Sequence, residues 1–126
     1  MQAYLDTNAV LRLAHGDLKK ISKTAQKAIE RYDLLISPMV WLELQYLFEI
    51  RRMVTPAESI VTRLDATIGL TSCPISFADI ARAACQETWT RDVFDRIIVA
   101  HARFAGNAPL ITADEVIPKH YKHTIW

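Results

Sequence analysis

Glycine and cysteine are scarce in this sequence, long apolar runs are missing, and neither sign of charge prevails. Only three glycines and five prolines occur in 126 residues, which leaves little room for disorder and fits one compact domain over residues 1–126. The two cysteines, Cys73 and Cys85, are too few for a disulfide scaffold and have no C-x-x-C spacing, so reduced thiols in a cytoplasmic chain are expected. A formal net charge of +1 gives no support to a nucleic-acid-coating protein and leaves a local basic face open. No apolar run approaches the roughly 20 residues of a membrane span. Met1 leads straight into an apolar segment rather than a signal peptide, and a soluble protein is expected. His120-x-x-His123 is not H-E-x-x-H, and His15 and His101 have no evident partner, so the histidines read as structural or surface residues.

What is present is a chain that is 51% hydrophobic, enough for a sizeable core. Gln2-Ala3-Tyr4-Leu5 is a short apolar run that stops at Asp6-Thr7-Asn8, after which Ala9, Val10, Leu11 and Leu13 restart as a helix. The pattern predicts a buried, central first strand with Asp6 at its carboxyl end, where open α/β sheets bind ligands. His15-Gly16-Asp17 breaks the first helix, and a second runs from Ser22 to Arg31. Lys20, Lys23, Lys27 and Arg31 share one face, either a solvated surface or an RNA-contacting stripe. Leu34-Leu35-Ile36 predicts a second buried strand, and Ser37-Pro38 starts a helix to about Met53. Thr55-Pro56-Ala57-Glu58 repeats the cap and starts a fourth helix that Gly69 ends. Leu70 to Pro74 is extended, and Ser76 opens a helix ending before Trp89, with Cys85 packed in it as a small hydrophobe. A last helix opens at Asp92 and stops at Gly106-Asn107. Pro109 to Thr112 then makes a strand, and Lys122 to Trp126 adds an edge strand.

The order β-α-α-β-α-α-β-α-α-β-β predicts a three-layer α/β/α fold around a mainly parallel sheet. Within it four acids are anomalous. Asp6 and Asp114 each follow a strand's carboxyl end, and Asp95 lies three residues into the Asp92 helix, where capping and the helix dipole alone could explain it. Glu43 interrupts the apolar run Val40-Trp41-Leu42-Glu43-Leu44, facing water or buried beside a cation. All four can reach one mouth of the sheet. Two bare carboxylates about 4 Å apart repel by roughly 4 kcal/mol at an effective dielectric near 20, so such a cluster calls for cations. Acids without His or Cys partners favour Mg²⁺ or Mn²⁺ over zinc.

At these residues the sequence resembles the PIN domain family, and within it the VapC toxins of bacterial and archaeal toxin–antitoxin pairs, over nearly its whole length. The resemblance is carried by Tyr4-Leu5-Asp6-Thr7-Asn8, by Glu43, by Arg91-Asp92-Val93-Phe94-Asp95-Arg96-Ile97-Ile98-Val99-Ala100 and by Leu110-Ile111-Thr112-Ala113-Asp114. Each segment is weak alone; their order and spacing together are specific. Val93 stands where the family often has Pro. The resemblance implies that Asp6, Glu43, Asp95 and Asp114 are a metal-binding quartet, with Thr7, Asn8 and Thr112 as polar support. Either Asp92 or Asp95 could approach the metal; Asp95 is favoured because it directly precedes the core run Arg96 to Ala100.

The implied activity is Mg²⁺-dependent hydrolysis of RNA phosphodiesters, tRNA and other structured RNA included, by a water that the metal activates. Candidate RNA contacts are Lys20, Lys23, Lys27, Arg51, Arg52 and Arg96, the last of which could instead pair with Glu43 or Asp92. A homodimer and an antitoxin partner are implied as well, with the apolar residues Trp41, Leu42, Tyr46 and Phe48 serving either an interface or the core. The alternative is a PIN-fold binding protein without catalysis. A receiver-like signalling domain fits less well, because Thr7 rather than an acid follows Asp6 and no lysine lies near Thr112.

Overall fold

Three segments, Gln2–Leu5 (β1), Asp33–Ile36 (β2) and Leu110–Ile111 (β4), carry almost nothing but buried side chains after their first residues, as strands covered on both faces must. In the computed structural model, which describes residues 1–126, they form the centre of a five-stranded parallel sheet. Thr71–Ser72 (β3) and Thr124–Ile125 (β5) lie on its edges, in the order β3-β2-β1-β4-β5. Between the strands run six helices: α1 Thr7–His15, α2 Lys23–Arg31, α3 Pro38–Glu49, α4 Ala57–Ile68, α5 Phe77–Ala84 and α6 Val93–Phe104. The fold is the expected three-layer α/β/α sandwich, with β1 at its centre. No helix is long and apolar enough to cross a membrane.

The element starts follow local chemistry. Ser22 and Ser37 accept backbone N–H bonds from Ala25 and Met39, which satisfies donors that a helix start leaves open. Gly16 ends α1 at φ 69°, a conformation costly for any residue with a Cβ. The core then closes around the sheet. Ala3, Tyr4 and Leu5 of β1, Leu34 and Ile36 of β2, Ile111 of β4 and Ile98, Val99 and Ala102 of α6 are all buried in one cluster. Full burial of each Leu, Ile or Val there stabilises by about 1.5–3 kcal/mol.

Several local expectations are corrected. Helix α3 stops at Glu49 rather than Met53, because Arg51 turns left-handed at φ 63°. The N–H groups of Arg51 and Arg52 then bond to the carbonyls of Phe48 and Leu47, the paired closure of a Schellman motif. Thr55 does not cap α4. The cap position is Pro56, which has no side-chain bond to give, and Gln45 of α3 accepts from the Ala57 N–H instead. Helix α5 ends at Ala84, and Cys85 is exposed beyond it rather than packed. Lys20 sits in a 3-10 turn, Leu18–Lys20, ion-paired with Asp17 at 3.9 Å, so only Lys23, Lys27 and Arg31 share the α2 surface. Of the four apolar residues on α3, Trp41 and Phe48 pack against the core, while Leu42 and Tyr46 are 61% and 50% exposed.

His101, read as structural, is fully buried in α6 with Nδ1 3.3 Å from the Ile97 carbonyl and no partner for Nε2. Burial holds its pKa below the usual 6.5. The unfolded chain therefore takes up a proton first as pH falls through 6.5, and stability falls with it. His101→Leu is expected to leave stability at pH 7.5 within about 1 kcal/mol of wild type and to shrink the loss between pH 6.5 and 5. Urea melts at the two pH values measure this; an undiminished acid loss contradicts it.

Candidate active site

The register of the central strands decides where the first acid goes. Leu5 pairs with Ile111, so the next residues on each strand, Asp6 and Thr112, leave the sheet side by side. The Thr112 hydroxyl donates to Asp6 Oδ2 at 2.6 Å, and the Asp6 Oδ1 accepts the Thr7 N–H at 2.7 Å as the cap of α1. Asn8 completes the brace. Its Nδ2 donates to Asp6 Oδ2 at 3.2 Å, and its Oδ1 accepts the Ala113 N–H at 3.0 Å, which fastens the first turn of α1 to the chain leaving β4.

Asp114 follows on the same exit. Its N–H donates to the Thr112 hydroxyl, and its Oδ1 accepts from Val116 and Ile117 at 2.7 and 2.9 Å, opening a 3-10 turn at Ile117–Lys119. That leaves Asp114 Oδ2 without a protein donor. Across the mouth, Asp92 caps α6, with Oδ1 accepting from Phe94 and Asp95 at 2.9 and 3.2 Å. Asp95 is the third residue of that helix, and no protein group donates to its carboxylate. Glu43 enters from α3, six residues after its cap Ser37.

These acids share one hollow of about 290 Å³, lined by Asp6, Thr7, Asn8, Leu11, Glu43, Leu47, Asp92, Asp95 and Asp114. No lysine, arginine or histidine is among them. Asp6, only 4% exposed, has its pKa raised by burial, against the pull of its bonds from Thr112 and Thr7. Glu43 is raised by burial first and then by Asp6 and Asp92. The Thr7 hydroxyl opposes that rise; it is buried beside Glu43 yet makes no hydrogen bond of ordinary geometry. Asp95 is pushed up to about 7, by burial first and then by Asp6, Asp92, Asp114 and Glu43. Asp95 thus stands in a poorly solvated place that four like charges also face.

As they stand, no three acidic, His or Cys side chains close into a ligand shell. Mutual repulsion of about 4 kcal/mol per pair at 4 Å resists closer approach. The donor set nonetheless fits a hard divalent cation: oxygens only, a surplus of negative charge, and an orphaned buried hydroxyl at Thr7. With no Cys or His among the donors, it is a poor match for zinc.

All four expected ligands and all four expected supports, Thr7, Asn8, Asp92 and Thr112, lie at this mouth. The expected basic residues do not. Arg96 turns to α5, donating from Nε and Nη2 to the carbonyls of Ala84 and Cys85, and it pairs with neither Glu43 nor Asp92. Arg51 and Arg52 sit past the far end of α3, and Lys20, Lys23 and Lys27 belong to the 3-10 turn and α2. Two wall residues escaped the sequence reading, Leu11 and Leu47. Each lies four residues after a polar member of the hollow, Thr7 and Glu43, which is the helical spacing that could have marked them.

Residues 3–122 match the family model described as the PIN domain. Among solved structures, the chain is similar to VapBC2 from Rickettsia felis bound to a DNA fragment from their promoter. That match has a TM-score of 0.57 and 20% identity, covering 98% of this chain and 96% of the other. It is also similar to VapBC-1 from nontypeable Haemophilus influenzae, with a TM-score of 0.58 and 18% identity over 97% of this chain and 92% of the other. At these identities the likeness is one of fold. No curated protein matches the sequence.

Proposed function

The chain belongs to the PIN domain family, and from that premise we propose that it is a divalent-metal-dependent endoribonuclease, the VapC-type toxin of a type II toxin–antitoxin pair. One observation carries the reading: five carboxylates face a single hollow whose lining contains no cationic side chain. Asp6, Glu43, Asp95 and Asp114 would hold Mg²⁺ or Mn²⁺. No hydrogen bond engages the Asp95 carboxylate and Glu43 meets only the Thr7 hydroxyl, whereas Asp92 is committed to the α6 cap.

A divalent cation held by these carboxylates would supply Lewis-acid chemistry, making a water more acidic and offsetting charge on the phosphodiester. The chain's own residues prepare that chemistry. Thr112, Thr7 and Asn8 hold the Asp6 carboxylate in one orientation, and preorganised ligands reduce the reorganisation left for the reaction. Leu11 and Leu47 make one apolar wall of the hollow. Asp92 fixes the first turn of α6, on which Asp95 sits.

The partners follow from the same reading. An antitoxin would cover the acidic hollow, and Leu42, Tyr46 and the C-cap residue Ile50, exposed at four-residue spacing along α3 and its end, offer an apolar stripe for a homodimer. The activity is tested by incubating antitoxin-free protein with total cellular RNA and Mg²⁺ or Mn²⁺, beside an EDTA control. Cleavage is expected only with the metal; none in either metal would leave a PIN-fold binding protein. Within the acidic pair, Asp92→Ala is expected to cost about 1 kcal/mol of stability through the lost cap, while Asp92→Asn, which keeps the cap, retains most activity. An inactive Asp92→Asn beside an active Asp95→Asn would reverse the assignment.

A further inference from the structure

An acidic hollow does not by itself attract a polyanion, and none of the cations expected to do so lines it. A concave surface dominated by basic groups lies elsewhere, between the end of α6 and the segment that leads into β5. It is a cavity of about 400 Å³ lined by Arg103, Asn107, Lys119, His120, Lys122 and His123, together with Pro118 and Tyr121, and no acid is among them. Arg103 is already engaged. Its Nε donates to Glu87 at 2.6 Å and its Nη2 to the His120 carbonyl at 3.1 Å, so it braces the pocket rather than meeting a ligand with its full charge. Lys119 and Lys122 are different: both are exposed, and neither belongs to any of the three ion pairs in the structure.

Beside the lysines stands a stacked pair. The rings of Trp89 and His120 lie 4.7 Å apart and only 10° from parallel. Trp89 is pinned by its Nε1 donating to Glu87 at 2.8 Å, the same carboxylate that holds Arg103. His120 is exposed, so the stack presents a supported ring to solvent next to two exposed ammonium groups. Cations beside a planar platform are what a nucleic-acid strand meets through its phosphates and bases; an acidic peptide has no use for the ring.

The pocket also lies within reach of the hollow. Trp89 precedes Asp92 by three residues, a span of at most about 11 Å, and Asp114 precedes Lys119 by five, at most about 18 Å. Along α6, Asp95 and Arg103 are eight residues apart, about 12 Å of helix. At roughly 3.4 Å per stacked nucleotide, about three to five nucleotides bridge such distances.

We propose that Lys119, Lys122 and the Trp89–His120 stack form a phosphate-and-base contact site that holds the RNA substrate a few nucleotides away from the bond cut in the acidic hollow. This rests on the nuclease reading above and adds to it where the strand is held.

The test is fluorescence anisotropy with a labelled single-stranded RNA 16-mer in EDTA, where nothing is cut, repeated over a salt series. The Lys119→Ala/Lys122→Ala double variant is expected to bind about tenfold more weakly. Its plot of log affinity against log salt should be shallower by about 1.4, because two phosphate contacts are lost at roughly 0.7 each for a single strand. His120→Ala should weaken binding without changing the slope. Lys20→Ala/Lys23→Ala, which removes cations elsewhere, should leave both unchanged. In Mg²⁺ assays the Lys119/Lys122 variant should raise KM and leave kcat within about twofold, as loss of uniform binding does.

Equal affinity and slope in wild type and the Lys119/Lys122 variant overturns the site while leaving the nuclease reading intact. So does an equal loss in the Lys20/Lys23 control, which would mean that charge alone matters. Displacement of the RNA by polyglutamate as readily as by unlabelled RNA overturns it in favour of an acidic protein partner. Wild-type protein that neither binds nor cuts RNA removes the nuclease reading itself.

Discussion

Asp95→Asn is expected to lower Mg²⁺-dependent RNA cleavage at least about 100-fold while making the metal-free protein more stable, an uncommon pairing for a single substitution. The loss follows from removing a carboxylate that no protein donor engages and that burial first, then the charges of Asp6, Asp92, Asp114 and Glu43, hold near 7. The gain has the same cause. A carboxyl held near 7 instead of 3.8 costs up to about 4 kcal/mol once ionised at pH 8, and solvent at the open mouth reduces that to about 2. Because this pKa is raised on folding, the folded protein keeps a proton that the unfolded chain has released between pH 4 and 7. Stability therefore falls as pH rises through that window and is restored as pH falls. Thermal melts of metal-free wild type and Asp95→Asn at pH 5 and pH 8 measure it. The variant should melt about 8 °C higher at pH 8, with the gap closing at pH 5. A lower melting point for the variant at pH 8 contradicts the electrostatic account of the hollow.

Divalent cations should have the converse effect on the wild-type protein. At a concentration 100 times the dissociation constant, Mg²⁺ or Mn²⁺ adds about 2.7 kcal/mol to folding stability. The cation and the proton on Asp95 compete. Below pH 7 the apparent metal affinity should weaken about tenfold per pH unit, with one proton released per ion bound, and above pH 8 it should level off. Melts in Mn²⁺ from pH 5.5 to 8.5 follow this directly. A metal-induced stabilisation that does not change across that range would place the ion away from Asp95.

Much of this site is legible in the sequence, for identifiable physical reasons. Asp6 follows a continuous apolar strand, and a buried parallel strand delivers whatever comes next to the carboxyl edge of the sheet. Asp114 stands in the same relation to β4, and Asp92 and Asp95 announce themselves through cap spacing. Glu43 is conspicuous because charge is costly in an apolar run. The directions of the cations are another matter. Arg96 adjoins Asp95 in sequence, but one residue turns about 100° around a helix, which carries its side chain to α5. Arg51 lies eight residues beyond Glu43, at the opposite end of α3. Lys119 and Lys122 are separated from the motif-bearing segments and acquire company only when His120 stacks on Trp89. The cap of α4 is hidden from the sequence for a similar reason: Gln45 supplies it from another helix, which no local pattern at Thr55 discloses.

Calorimetric titration of Mn²⁺ into wild-type, Asp95→Asn and Asp92→Asn protein at pH 8 puts the acidic hollow to the most direct trial. Saturable binding is expected in the wild type, retained in Asp92→Asn and weakened tenfold or more in Asp95→Asn. No saturable binding in the wild type, or the same affinity in all three proteins, would contradict the claim that these carboxylates gather to hold a divalent ion.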